Sequence, residues 1–214
     1  MTHRYRVLTA FALTLAIAAP ALAGPPLLCH PFDIGSARSL PWDGNAGWFQ
    51  GRGDYPIAQL VGDTEAILQP GTPVVVRMET LRRAAIYASQ DPAVASALVE
   101  TLAMKAGKGQ TATDPLAALD AAYLIEALHQ ITMLGQSGEF RDRVSGVKRV
   151  LADHDAAPFV AQAVQARPSD PAVAFAAALI TMGKDRQASG AYAARARAGA
   201  SQDALLARNI NHLS

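Results

Sequence analysis

Apolar residues recur three or four positions apart through most of the chain beyond residue 56, and this spacing predicts a series of alanine-rich helices. The clearest apolar stripe is Val74, Met78, Leu81 and Ala85. Helices are expected at 57–68, 72–90, 92–106, 115–134, around 140–151, and at 157–166, 171–182, 186–199 and 202–212. About eight or nine helices without other regular structure place the chain in the all-α class.

The segment 115–134 differs from the others because apolar residues surround the predicted helix on nearly every side. Neighbours cover such a helix on several sides, so we expect it in the middle of the structure. The helix at 72–90 instead carries a basic set, Arg77, Arg82 and Arg83. These residues could form an anion site, but a solvated helix face is the expectation.

Aspartate followed by proline marks the start of three predicted helices. The pairs are Asp91-Pro92, Asp114-Pro115 and Asp170-Pro171. Aspartate caps a helix by accepting backbone N–H bonds, and proline in the first turn gives up no donor that the helix needs. The other predicted caps are Thr72, Ser137, Asp155 and Ser201.

Residues 24–56 show no sustained period, because prolines and glycines interrupt them throughout. The segment nevertheless carries large apolar side chains: Leu27, Leu28, Phe32, Ile34, Leu40, Trp42, Trp48 and Phe49. Disordered segments are poor in such groups. We therefore predict an ordered but irregular N-terminal strap over residues 24–56, laid across an all-helical domain over residues 57–214.

The first 23 residues have the features of an export signal. Arg4 and Arg6 form a short positive region, an uncharged and mainly apolar run follows, and Ala21-Leu22-Ala23 gives the small-x-small cleavage pattern. The run is shorter than the roughly 20 residues that span a bilayer. We therefore expect cleavage after Ala23, a periplasmic or secreted protein, and no stable membrane span once the signal is removed.

The charge balance bears on the choice of partner. The chain has 19 basic and 18 acidic residues, and loss of Arg4 and Arg6 would leave 17 basic against 18 acidic residues, a formal charge of −1. A near-neutral chain without a basic run has no electrostatic footprint for nucleic acid. No nucleic-acid partner is therefore expected, whereas another envelope protein or a peptide is a possible partner.

A short sequence recurs within the chain. The pentapeptide Asp-Pro-Ala-Val-Ala at 91–95 returns at 170–174, 79 residues later, which is about two helical-hairpin repeats of the usual length. Between Asp170 and Ala200, Asp-Pro opens a first helix, Gly183 ends it, and Ala188 and Tyr192 fall where a second helix has small and aromatic residues.

This stretch resembles the tetratricopeptide class of helical repeats, although the W-x-x-L-G pattern of that class is missing. The resemblance implies stacked antiparallel helices and, commonly, peptide or protein binding, without any chemistry. Alanine-rich helices also pack closely in a plain bundle, so the fold expectation is an irregular helical-hairpin array or a bundle.

Cys29 is the candidate reactive thiol of the chain, with His30 next to it. A thiol enzyme would also need a remote histidine oriented by a third group, for which His129 or His154 could serve, but no local signature supports this pairing. Cys29 and His30 would bind one metal poorly together, because the side chains of adjacent residues on an extended segment point to opposite faces. Cys29 is expected to behave as a small buried hydrophobe, and we predict no catalytic residue, metal or cofactor.

Glu126 and His129 lie one helical turn apart and could bind a metal together. Di-iron helical bundles need a second Glu-x-x-His motif and further glutamates from other helices, and the chain has no second motif. A polar pair that is satisfied locally is the expectation for these two residues.

Trp42, Trp48 and Phe49 are the predicted binding residues, because an aromatic platform in the strap could contact sugars or peptides. The alternative is that these rings fasten the strap to the helices. The sequence thus favours an exported, non-enzymatic binding or scaffold protein that uses either a helical groove or the loop from Trp42 to Phe49. An enzyme or metal protein centred on Cys29 and His30 is the other hypothesis.

Overall fold

The computed structural model describes residues 24–43, 47–107, 114–135, 138 and 140–213. Within these residues the chain forms nine α-helices and no strand, which confirms the all-α prediction. The helices are α1 (Leu60–Ile67), α2 (Val74–Ala88), α3 (Pro92–Gly107), α4 (Ala117–Leu134), α5 (Val144–Val150), α6 (Ala157–Ala166), α7 (Pro171–Thr181), α8 (Arg186–Gly199) and α9 (Ala204–Asn209). The predicted signal and the predicted cap Ser137 lie outside the described residues.

The helix ends follow side-chain chemistry at several positions. Asp170 accepts the N–H groups of Ala172 and Val173 at the start of α7, as predicted. The predicted cap Thr72 is wrong: Pro73 occupies the cap position of α2, and the Thr72 hydroxyl instead donates to the Ile67 carbonyl.

The predicted cap Ser201 is also wrong. Residues Ala200–Gln202 form a 3-10 turn after α8, and Asp203 caps α9 by accepting the N–H groups of Leu205 and Leu206. The last α-helix therefore begins after Asp203 and not after Ser201. The short 3-10 helix Ile210–Leu213 follows it directly.

Three helices form the centre of the molecule. Helix α4 is buried along most of its length, as its apolar composition predicts, and α2 and α7 are buried almost throughout. The solvated face predicted for the basic residues of α2 is therefore wrong for Arg77 and Arg82, which are 1% and 0% exposed. Of these three arginines, Arg83 is half-buried and so keeps part of its side chain in contact with solvent.

Arg77 joins the start of α2 to the start of α4. Its guanidinium group lies 2.6 Å from a carboxylate oxygen of Asp114 and 2.5 Å from one of Asp120, and it also donates to the backbone carbonyls of Gln69 and Thr72. Buried charges are tolerated when they are paired and hydrogen-bonded. This pairing explains why a basic residue can occupy the interior here.

The strap enters the core through its apolar side chains. Leu27, Leu28 and Leu40 have no exposed surface, and Phe32 and Ile34 are also buried. The backbone of this segment, over its described residues, forms no helix or strand, yet buried N–H and carbonyl groups need partners. Turns within the strap pair some of these groups, and side chains of the helices supply partners for others.

A charged cluster on α2, formed by Glu79, Arg82 and Arg83, supplies many of these partners. The Glu79 carboxylate accepts from both guanidinium groups at 2.7–2.9 Å and from the backbone N–H of Phe32 at 3.0 Å. We name Glu79, Arg82 and Arg83 the strap-anchoring cluster.

The two arginines of the cluster also reach the strap directly. Arg82 donates to the carbonyls of Leu28 and Trp48, and Arg83 donates to the carbonyl of Leu40 at 2.6 Å. Three separate points of the strap are therefore tied to one turn of α2.

None of the helices in the described part of the chain is long and apolar enough to cross a membrane.

Glu79→Ala is expected to lower the free energy of unfolding by about 3–5 kcal/mol, because it leaves two guanidinium groups without their shared carboxylate inside the protein. Urea denaturation of residues 24–214 measures this change. Glu100→Ala is the matched control, since Glu100 is exposed on α3 and its carboxylate accepts from the Ser96 hydroxyl, and it should cost less than about 0.5 kcal/mol. Equal stability of the two variants would contradict the assigned role.

Candidate functional site

Trp42 packs against the strap-anchoring cluster. The guanidinium carbon atoms of Arg82 and Arg83 lie 4.7 and 5.8 Å from the centroid of the indole ring, and the ring of Tyr87 meets it edge-on at 5.8 Å. Cation–π attraction stabilises such an arrangement. Side chains of α2 therefore contact the half-buried indole ring.

Trp48 and Phe49 contact each other at 5.6 Å between ring centroids, and Trp48 also stacks on Phe140 at 6.1 Å. Both residues are half-buried. The three predicted binding residues thus lie along one strap but do not converge on a single exposed platform. Their contacts join the strap to α2 and to the segment before α5.

A polar cavity of about 170 Å³ lies beside Phe49 and is lined by Arg52, Tyr87 and Arg143 among others. The Tyr87 hydroxyl makes two hydrogen bonds to the strap: it donates to the Pro41 carbonyl and accepts from the Arg52 backbone N–H. The Tyr87 hydroxyl that borders the cavity is therefore occupied with holding the strap.

Cys29 is half-buried and has no disulfide partner. Burial raises the pKa of the Cys29 thiol above its ordinary value, and the charge of Arg82 only partly offsets this effect. A catalytic thiol needs the opposite shift, since the thiolate is the nucleophile. The environment of Cys29 therefore favours the protonated, weakly reactive form.

The ring of His30 lies 6.2 Å from the ring of His212, near the other end of the chain. His212 also stacks on Phe32 at 4.7 Å. Burial, and secondarily His30, lower the pKa of His212 against a weaker opposite effect of Glu79. The Nε2 atom of His30 and the Nδ1 atom of His212 are buried without a hydrogen-bond partner among the described residues.

The structure brings His212 to the predicted site, but it does not bring His129 or His154 into a ring contact with His30. Within the residues that the structure describes, no group of three or more His, Cys, Asp or Glu side chains has the arrangement of a metal site. The sequence could not reveal the pairing of His30 and His212, because no local pattern connects residues so far apart.

A second candidate site lies between α6 and α8, at the edge of α4 and α7. Its lining is mostly small or apolar: Glu126, Ala156, Ala157, Val160, Ala161, Ile180, Thr181, Lys184, Asp185, Ala188 and Tyr192. We name it the α6–α8 groove. Its volume is about 200 Å³, and it opens to solvent beside the exposed side of α6.

Glu126 lies at the base of this groove and is 5% exposed. Its Oε2 atom is 2.9 Å from the Nζ atom of Lys184, whose side chain is 48% exposed. The carboxylate is therefore paired with a residue of the α7–α8 turn, and not locally on α4 as the sequence suggests. Burial and then the charge of Lys184 lower the pKa of the neighbouring His129, against the effects of Glu126 and Asp155.

The sequence contains a partial signal for this groove. Ala157 and Ala161 lie four positions apart on α6, as do Ala188 and Tyr192 on α8, so each pair lies on one face of its helix. What the sequence does not show is that the two faces lie across from each other and above Glu126.

In comparisons with known proteins, no protein-family model, no curated protein and no solved structure matches the chain.

Trp42→Ala is expected to lower the free energy of unfolding by about 2 kcal/mol, because it removes a half-buried ring and its contacts with two guanidinium groups. Thermal melting and limited proteolysis of residues 24–56 measure the effect. Trp42→Phe should retain most of the stability. Unchanged melting together with unchanged protease resistance in Trp42→Ala would rule out the fastening role.

Proposed function

We propose that the protein is an exported, non-enzymatic binding protein that holds a segment of peptide or of another envelope protein in the α6–α8 groove. The observation that carries this proposal is a solvent-open, mainly apolar groove with one buried carboxylate at its base. Apolar walls with a few placed polar groups are typical of sites that hold a ligand and orient it.

The surrounding helices support the proposal because they give the groove fixed walls. Helices α7 and α8 are joined by a short turn and pack closely along their length, and Asp170 and Asp185 cap their first turns. The Ser189 hydroxyl on α8 also donates to the Ala178 carbonyl on α7 at 2.8 Å. A rigid groove loses little conformational entropy when it binds a ligand.

The resemblance of residues 170–200 to tetratricopeptide-type repeats agrees with this proposal, since α7 and α8 form the helical hairpin in question. Helical-hairpin arrays commonly bind extended peptides on their surfaces. The export signal predicted for residues 1–23 would place this activity in the periplasm or outside the cell.

A second candidate function is an enzyme or metal-binding protein centred on Cys29 and His30. His30 follows Cys29 in the chain and its ring lies 6.2 Å from the ring of His212. One nitrogen of each ring is buried without a partner among the described residues, and such atoms are potential ligands of a borderline metal. The raised pKa of Cys29 weighs against a catalytic thiolate. The α6–α8 groove is therefore the preferred site.

Cys29 should react with a maleimide reagent at least about tenfold more slowly in the folded protein than in urea, because burial and a raised pKa both suppress the thiolate. Mass spectrometry of the mature chain follows the labelling, and Cys29→Ser gives the background. Rapid labelling of the folded protein at neutral pH would instead support the thiol enzyme.

Ala161→Trp should reduce peptide binding by about tenfold or more, because an indole at this exposed position of α6 fills the groove without entering the core. A displayed library of random heptapeptides, selected on the mature chain, provides the ligands. Ala194→Trp is the matched control, since Ala194 is exposed on α8 and does not line the groove. The absence of any peptide that distinguishes the two variants would contradict the proposed function.

A further inference from the structure

The α6–α8 groove has the size of a side-chain pocket. An engineered apolar cavity of about 150 Å³ accommodates benzene, and the groove has about 200 Å³. Drug-sized ligands and cofactors generally occupy about 300–1,000 Å³. The groove therefore fits one long side chain of a peptide better than it fits a whole cofactor.

The carboxylate of Glu126 is poorly satisfied for a buried charge. An ionised carboxylate has about four lone-pair positions for donors. Lys184 approaches the Oε2 atom to 2.9 Å, but this oxygen accepts no well-aligned hydrogen bond from any described residue. A correctly directed donor at this oxygen would make a strong, charge-assisted bond.

The charges around the groove favour a cationic ligand. Glu126 and Asp185 line it, with Lys184 as the only cation among the lining residues that the structure describes. The lowered pKa of His129 keeps that imidazole neutral at neutral pH and so adds no positive charge. Without the ammonium group of Lys184, the base of the groove would carry an uncompensated negative charge.

The position of Lys184 allows its ammonium group to move away from the Glu126 carboxylate. It belongs to the turn between α7 and α8, and nearly half of its side chain is exposed. The ammonium group of Lys184 can return to water at little cost, and the buried Glu126 carboxylate stays paired when a ligand cation takes its place. A ligand cation that enters from outside can therefore replace Lys184 at a small cost.

We propose that the α6–α8 groove recognises a lysine side chain of an extended peptide, whose ammonium group binds the Glu126 carboxylate in place of Lys184. This inference rests on the proposed function and specifies its ligand. The small walls formed by Ala157, Ala161 and Ala188 contact the methylene groups of the ligand lysine. Lys184 acts as an internal competitor that neutralises Glu126 while the groove is empty.

The proposal predicts opposite effects for two substitutions in the groove. Glu126→Gln keeps the shape of the side chain but removes its charge, and should weaken binding of a lysine peptide by about tenfold or more. Lys184→Ala removes the competitor and should strengthen the same binding by about tenfold. Arg186→Ala is the matched control, because it removes the same charge from an exposed position outside the groove.

The test uses peptides selected from the random heptapeptide library on the mature chain, each synthesised also with norleucine or arginine in place of lysine. Fluorescence anisotropy measures binding to the wild type and to the three variants, and circular dichroism establishes that each variant is folded. Lysine should be enriched in the selected peptides, norleucine should weaken binding in the wild type, and this loss should disappear in Glu126→Gln.

The outcomes separate the ligand assignment from the proposed function. Peptides that Ala161→Trp excludes, but that show no preference for lysine and no response to Glu126→Gln or Lys184→Ala, would overturn the lysine assignment and leave the groove as a peptide site. Equal binding of the arginine and lysine peptides would overturn the selectivity for lysine. If no peptide distinguishes Ala161→Trp from Ala194→Trp, both proposals fail.

Discussion

The carboxylate of Glu79 is the interaction on which the N-terminal strap depends. A chain segment without helix or strand satisfies only part of its own backbone through turns, and a buried N–H or carbonyl group without a partner is costly. Glu79 accepts one strap N–H directly, from Phe32. It also fixes the guanidinium groups of Arg82 and Arg83, which then donate to strap carbonyls. One carboxylate thus organises contacts at several points of the strap.

The strap-anchoring cluster also explains the position of Trp42. Two guanidinium groups share one carboxylate, so the cluster carries an excess of positive charge in a buried region. The negative face of an aromatic ring is a suitable neighbour for such charge. The indole of Trp42 covers both arginines at this place. The aromatic residues of the strap are therefore coupled electrostatically to α2 as well as packed against it.

The sequence predicts helices and caps well where the controlling interaction is local. The apolar surroundings of 115–134 predict the buried position of α4, and Asp170 predicts the start of α7. The burial of Arg82 could not be predicted in this way, because Glu79, Arg82 and Arg83 lie three and four positions apart and have the pattern of a solvated helix face. Only the fold shows that an irregular segment covers that face and needs its donors.

The candidate sites also depend on contacts that the local sequence pattern does not predict. The pattern at Glu126 and His129 identifies a polar pair on an apolar helix, but Lys184, the residue that pairs with Glu126, comes from a distant turn. The contact between His30 and His212 likewise joins the strap to the last turn of the chain. Contacts of this kind depend on how the helices pack, and a single sequence carries no periodic signal for them.

Glu79 and Glu126 are both buried glutamates on central helices, and the difference between them indicates where a ligand can bind. Glu79 accepts four hydrogen bonds from arginines and from the strap backbone, so it has little capacity left for another donor. Glu126 faces a solvent-open groove and pairs with the half-exposed Lys184. A buried carboxylate that the fold leaves incompletely satisfied retains a favourable free energy for an incoming donor. The strap side of the molecule has used its polar groups to complete the fold, whereas the α6–α8 groove keeps one carboxylate with unfilled acceptor positions.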